Sequence, residues 1–159
     1  MSIGKAIKKP ERAYLVNIES NASMECMLNP SKLTESIRVN WTRPAVPGLP
    51  FQVLQYQSTG NRKVDKLEFY LNRILASEQD ENAGDILAFR DFIKTLTVPS
   101  VAGGSPPRVL VVWPNVLTME AVVTEVEFQY QLFAVDGSAL VYTAVCSFEE
   151  APVIRVIEG

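Results

Sequence analysis

Glu125 and Glu127 are the residues whose type and spacing come closest to chemistry. They stand two apart in the stretch Glu125-Val126-Glu127-Phe128-Gln129-Tyr130-Gln131, so in an extended strand both carboxylates point to one side. A carboxylate pair can do acid–base work where a cleft raises the pKa of one member. The same side also presents Gln129 and Gln131, and a plain hydrophilic strand face is the simpler reading. Other chemistries are poorly supplied. The 159 residues contain no histidine, which removes every Ser-His, Cys-His and His–metal arrangement from them. No P-loop, GxGxxG, CxxC or zinc-ligand spacing occurs. The acidic stretch with Glu78, Asp80 and Glu81 lacks the ligand spacing and central glycine of a calcium loop and reads as solvated. Gly103-Gly104-Ser105 lies between prolines and reads as a linker. No catalytic residue, cofactor or metal is expected, and the chain is not expected to be an enzyme.

The length suits one domain, large enough to bury roughly 70% of the surface its unfolded chain exposes. Charged residues make up 21%, the net charge is −3 and the pI is about 5.1. Nothing here points to a nucleic-acid partner. Lys5, Lys8, Lys9 and Arg12 form the single basic cluster and read as a solvated arm. Cys26 and Cys146 each sit in an apolar, strand-like run and read as buried thiols of a reducing compartment. No apolar stretch approaches the ~18 residues of a membrane span, so no membrane insertion is expected. Residues 1–10 carry charges where a signal peptide needs an apolar core, which implies synthesis in the cytoplasm.

The elements that must position these residues are mostly strands. Residues 1–12 read as an arm, 13–150 as the folded body and 151–159 as a tail. Ala13 to Ile18 and Met24 to Leu28 form an opening hairpin across the turn signal Ser20-Asn21-Ala22-Ser23, stopped by Asn29-Pro30. Ile37, Val39 and Trp41 alternate with polar residues, the period of a half-buried strand. Trp41 and Trp113 are both expected in the core. A Pro/Gly stretch through Pro44, Pro47, Gly48 and Pro50 cannot be a central strand and leads to Phe51 and Leu54. Leu67, Phe69 and Leu71 alternate as a further strand, although Leu67, Leu71, Ile74 and Leu75 also fit helical spacing. One helix is expected near residues 85–96. Asp85 stands as its N-cap, Ile86, Phe89, Ile93 and Leu96 make its apolar stripe, and Pro99 stops it. Residues 99–107 are a connector, and Val109 to Trp113 a buried strand.

The clearest element is a hairpin over residues 118–149. Asp136-Gly137 looks like a two-residue turn. That loop would pair Val135 with Ser138 and put the Glu125, Glu127, Gln129 and Gln131 side on the same face as Tyr142, Cys146 and Phe148. A three-residue loop instead joins Phe128, Tyr130 and Leu132 to Tyr142, Ala144, Cys146 and Phe148. The polar residues then face Thr143, Val145 and Ser147. Burial of one face sets register, so a three-residue or bulged turn is expected, with Gly137 at positive φ.

The order of these features resembles the tube-domain proteins of contractile injection systems and contractile phage tails, a family often fused to LysM modules in baseplates. The matching positions are Asn29, Pro30, Trp41, Gly48, Gln55, Gly60, Leu67, Phe69, Pro106, Pro107, Trp113, Phe133, Asp136, Gly137 and Phe148, across residues 13 to 150. Pro114 stands where the family often has glycine, and the chain ends at Gly159 without a LysM module. Peptidoglycan binding is therefore not carried over.

The resemblance implies a mainly β (α+β) fold, an antiparallel β-sandwich or barrel-like tube domain with one flanking helix. It implies a structural role in a contractile tail or injection machine, as a hexameric ring between the spike-bearing hub and the inner tube. The partners would be further copies, the tube protein and the hub or spike proteins. The product would be made in the bacterial cytoplasm and assembled into a virion tail or injection particle. Glu125, Glu127, Gln129 and Gln131 would face the lumen. The alternative is a monomeric soluble β-barrel that binds a small ligand.

Overall fold

A computed structural model describes residues 11–75, 86–100 and 103–152. Among the described residues nine strands lie in chain order: β1 (Tyr14–Asn17), β2 (Ser23–Glu25), β3 (Glu35–Ser36), β4 (Val39–Thr42), β5 (Gln55–Thr59), β6 (Lys63–Asn72), β7 (Val109–Trp113), β8 (Leu117–Phe133) and β9 (Ala139–Glu150). The helix α1 (Ile86–Thr95) falls between β6 and β7. Seven strands form one antiparallel sheet in the order β2-β1-β7-β8-β9-β6-β3, and β4 pairs with β5 in a separate ribbon. The chain is thus a mainly β protein, and among the described residues helix occurs in α1 and at residues 73–75. The expected Asp85 cap, the acidic stretch around Glu78, the arm before Glu11 and the tail from Val153 lie outside the described residues.

The helix shows why one stripe suffices. Ile86, Phe89, Ile93 and Leu96 are buried, joined by Phe92, and Lys94 in the last turn opposes the partial negative charge of the carbonyl end. The stripe lies on the sheet, with the Phe89 ring 5.5 Å from that of Phe69. Tyr142, buried at the middle of the sheet, donates its hydroxyl proton to the carbonyl of Ile86. Core residues of β1, β6, β7, β8, β9 and α1 belong to one cluster. The helix and both halves of the sheet therefore share a single core.

Strand β9 is covered on both faces. Tyr142, Ala144, Cys146 and Phe148 face the helix, and the intervening Val141, Thr143, Val145 and Ser147 are also buried. The reason is position. β9 lies between β6 and β8, so longer side chains on those two strands shield its small residues. Leu67, Phe69 and Leu71 of β6 stand opposite Cys146, Ala144 and Tyr142. The segment is a strand as far as Asn72, and residues 73–75 turn helical, with the Ile74 and Leu75 amides donating to Asn72 Oδ1.

The β8–β9 turn has three residues. The Ala134 amide donates to the Ser138 carbonyl, the Gly137 amide donates to the Ala134 carbonyl, and Gly137 has φ +91°. Val126, Phe128 and Tyr130 stand opposite Cys146, Ala144 and Tyr142, as burial of one face requires. A bulge between Tyr130 and Leu132 then moves Leu132 opposite Val141. Leu132 thereby leaves the core face on which its alternation placed it, and it is 48% exposed.

β4 also departs from its pattern. Its alternation suggested burial, yet Ile37, Val39 and Trp41 are all exposed, Trp41 by 47%. The β4–β5 ribbon is separate from the sheet, and among the described residues β4 has no second strand beside it. Trp41 instead packs edge-on against Tyr56 with ring centroids 5.7 Å apart. Trp113 is half-buried and packs against the core cluster. Cys26 and Cys146 are buried free thiols. The return strand of the first hairpin is shorter than its sequence suggests, Ser23–Glu25.

Candidate assembly surfaces

Two strand edges stand open on either side of β9. β7 covers β8 only along Leu117–Ala121. From residue 122 to 133 no strand among the described residues pairs with that side of β8. β3 covers β6 only at Lys63 and Val64, which leaves residues 67–72 without a partner on their outer side among the described residues. β6 and β8 are each antiparallel to β9, so these two free edges run parallel to one another. Unpaired amides and carbonyls along such edges are templates for a further strand.

The face of this three-stranded unit opposite the helix is polar. Glu127 stands opposite Val145, which stands opposite Glu68 on β6. The next row is Gln129, Thr143 and Tyr70, and Glu125 is opposite Ser147. Gln129 donates its side-chain N–H to Glu127 Oε1 at 3.1 Å. Glu125, Glu127 and Gln129 are thus brought together on one exposed face. Gln131 is exposed but sits in the bulge and has no opposite residue, so it does not extend the rows. Glu68 and Tyr70 join the face. Their alternation with Leu67 and Phe69 put them on the polar side of β6, but only the β6–β9 register shows that this is the Glu127 side.

A second bulge, between Val64 and Leu67 of β6, places Lys66 at φ +51°. Its backbone amide donates to Ser147 Oγ at 3.1 Å. Below it, Arg62 ties three strands together. It donates to Glu35 Oε1 at 3.2 Å, to Glu150 Oε2 at 2.8 Å and to the Thr118 carbonyl at 3.4 Å.

The remaining marked positions serve the frame. Asn29 Oδ1 accepts from the Ala13 amide at 2.8 Å, and its amide group donates to the Glu11 carbonyl. That clasp fixes the chain at the start of β1, and Pro30 beside it is buried. Phe69 and Phe148 are core residues. Gln55 pairs with Thr42 at the outer part of the ribbon. Phe133 is exposed and stacks on Tyr130 at 6.3 Å. Asp136 Oδ1 accepts from the amide and hydroxyl of Ser138, and these bonds hold its carboxyl below the usual range. Burial pushes both thiols up to about 12, so neither is a nucleophile near neutrality.

Two clefts, of about 390 and about 580 Å³, flank Lys94 on the outer surface. The first runs beside the free edge of β8 at Val123–Val126 and Phe128, and Lys94 Nζ lies 5.9 Å from the Phe128 ring centroid. Among the described residues no three acidic or thiol side chains converge as a metal site would need, and no helix is long and apolar enough to cross a membrane.

The helix-backed sheet thus carries, among the described residues, two open strand edges and one polar face. The family model of the contractile injection system tube protein matches residues 5–153, and the chain belongs to that family. It is a structural component of a contractile injection system, and it assembles with other parts of the same machine. No curated protein matches it closely enough to report.

Proposed function

We propose that the chain, with residues 13–150 as its body, is a non-enzymatic ring subunit. Six copies would close a ring between the spike-bearing hub and the inner tube of a virion tail or injection particle. The observation that carries this reading is the pair of free edges on either side of β9. In a ring, the β8 edge of one copy lies beside the β6 edge of the next, a heterologous contact that closes on itself. Because β6 and β8 run parallel within the chain, each junction would be parallel.

The helix backs one face of the sheet, which leaves the Glu125, Glu127, Gln129 and Glu68 face for the lumen, with Gln131 at its rim. Repeated around the ring, these carboxylates would keep nucleic acid or an acidic cargo from adhering. The further partners would be the tube protein and the hub or spike proteins, with synthesis in the bacterial cytoplasm. The small-ligand reading has less support, because the clefts beside Lys94 are open to the surface and the interior of the sheet is filled by side chains.

The test is a cryo-EM map of the assembled particle, preceded by light scattering on the isolated protein. The expected mass is about six chains of 17.7 kDa each. A map in which β6 and β8 of adjacent copies do not meet, or in which Glu125 and Glu127 lie in a packed subunit core, would sink the proposal.

A further inference from the structure

A third strand edge stands open, on the β4–β5 ribbon. Among the described residues β5 pairs with β4 alone, and every residue of Gln55–Thr59 is exposed. Its open side follows from the order of the strands. β6 has β3 on one side and β9 on the other. β3 leads into β4, and β5 leads into β6. Between the two pairs the Gly60 amide donates to the Arg38 carbonyl at 2.7 Å. β4 therefore lies on the β3 side of this run, and the open side of β5 is the β9 side.

The end of β9 is aimed along that side. β9 is antiparallel to β6, with Val64 opposite Phe148 and Lys63 opposite Glu149. The Glu150 amide continues this ladder by donating to the Arg62 carbonyl at 2.8 Å. On its other side the Ala151 amide donates to the Glu120 carbonyl at 3.0 Å. The next acceptor along β8 in that ladder is the Thr118 carbonyl, and it accepts from the Arg62 guanidinium instead. The chain leaving Pro152 thus has β5 as the open edge ahead of it. The residues that follow are Val153-Ile154-Arg155-Val156-Ile157, all β-branched and apolar except the arginine, the composition of a strand. Five extended residues cover about 17 Å, the length of β5.

We propose that residues 153–157 form a third strand of the ribbon, antiparallel to β5 of the same copy. An unpaired edge is a template for any other strand. Covering this one leaves the edges of β8 and β6 as the places where copies can meet. The family match stops at residue 153, so most of this strand lies past the matched residues. The contact does not depend on how a ring closes.

The test uses the full chain with Val156→p-benzoylphenylalanine, mixed with isotope-labelled chain that lacks the probe. After irradiation, mass spectrometry maps the cross-links, which are expected within one copy and in residues 55–59. In parallel, amide hydrogen exchange across residues 55–59 is compared between the parent chain and a variant with Ile154→Pro and Val156→Pro, whose prolines remove two ladder donors. Exchange there should be roughly tenfold faster in the variant, with residues 141–148 unchanged. Cross-links between copies, cross-links to residues 122–133, no cross-links, or equal exchange at residues 55–59 each overturn the inference. Mass measured on the same samples keeps the two proposals apart. Rings without these cross-links sink the third strand alone, and the cross-links without rings sink the ring alone.

Discussion

The β8–β9 hairpin and the β4–β5 ribbon are both two-stranded, antiparallel and built on alternating apolar residues. In the hairpin, Phe128 is half-buried against the core and Tyr142 is fully buried. In the ribbon, Trp41 and Tyr56 are exposed, Tyr56 by 60%. What differs is the surroundings. The hairpin has β6 on one side and α1 across its apolar face, whereas the ribbon has neither. Period-two alternation therefore says that a strand has an apolar face. It does not say whether that face is covered by the same chain or left for another.

The sharpest way to break this comparison is to remove one aromatic ring from each region. Phe69→Ala, beneath the helix and wholly buried, should cost about 3–5 kcal/mol of stability, measured by urea unfolding. Trp41→Ser should sit at the other extreme. A comparable loss there would mean that the ribbon is part of the folding unit after all.

Next in size is the response of the buried thiols to pH. An ordinary thiol ionises near 9.0, and burial raises Cys26 and Cys146 to about 12 in the folded chain. A group that holds its proton more tightly when folded stabilises the fold fully below the unfolded pKa, and that contribution falls as pH rises toward the folded one. Stability should thus be insensitive to these thiols at pH 8 and decline between about 9 and 12. A double Cys→Ala variant should lose that decline. At pH 8, a thiol reagent should label Cys26 before Cys146, because Cys26 directly follows the edge strand β2 whereas Cys146 lies within the central β9. Equal rates would show that the whole sheet opens as one.

Gly137→Ala probes the turn that sets the hairpin register. Gly137 has open space around a would-be Cβ, so the penalty is conformational alone, from φ +91°. A loss of about 1 kcal/mol is expected, with the register preserved, as backbone NMR contacts between Phe128 and Ala144 would show. The smallest effect is Trp41→Ser, within about 0.5 kcal/mol, because the ring lies against Tyr56 alone among the aromatic residues and no core depends on it.

Much of the frame is legible in the residues themselves. The helix stripe of Ile86, Phe89, Ile93 and Leu96 is readable because a 3.6-residue period has one geometric solution. The turn at Gly137 is readable because a one-residue slip would bury Glu127 beside Cys146. Glu125, Glu127 and Gln129 are readable as a polar face for the same reason. Leu132 was not, because a bulge inserts a residue that no periodicity announces. The membership of Glu68 in the Glu127 face was not, because register across two strand pairs is a long-range property.

By itself, the sequence determined the mainly β class, the helix over Ile86–Thr95, the register of the last hairpin and the family to which the chain belongs. Local periods and turn chemistry suffice for the first three, since each depends on residues close together in the chain. Only the tertiary structure decided which apolar faces are covered and which strand edges are free. Those depend on how far neighbouring strands overlap: β7 stops opposite Ala121 while β8 continues to Phe133. Glu127 therefore ends as part of an exposed face, joined across β9 by Glu68, while its neighbour Glu125 also borders the cleft beside Lys94.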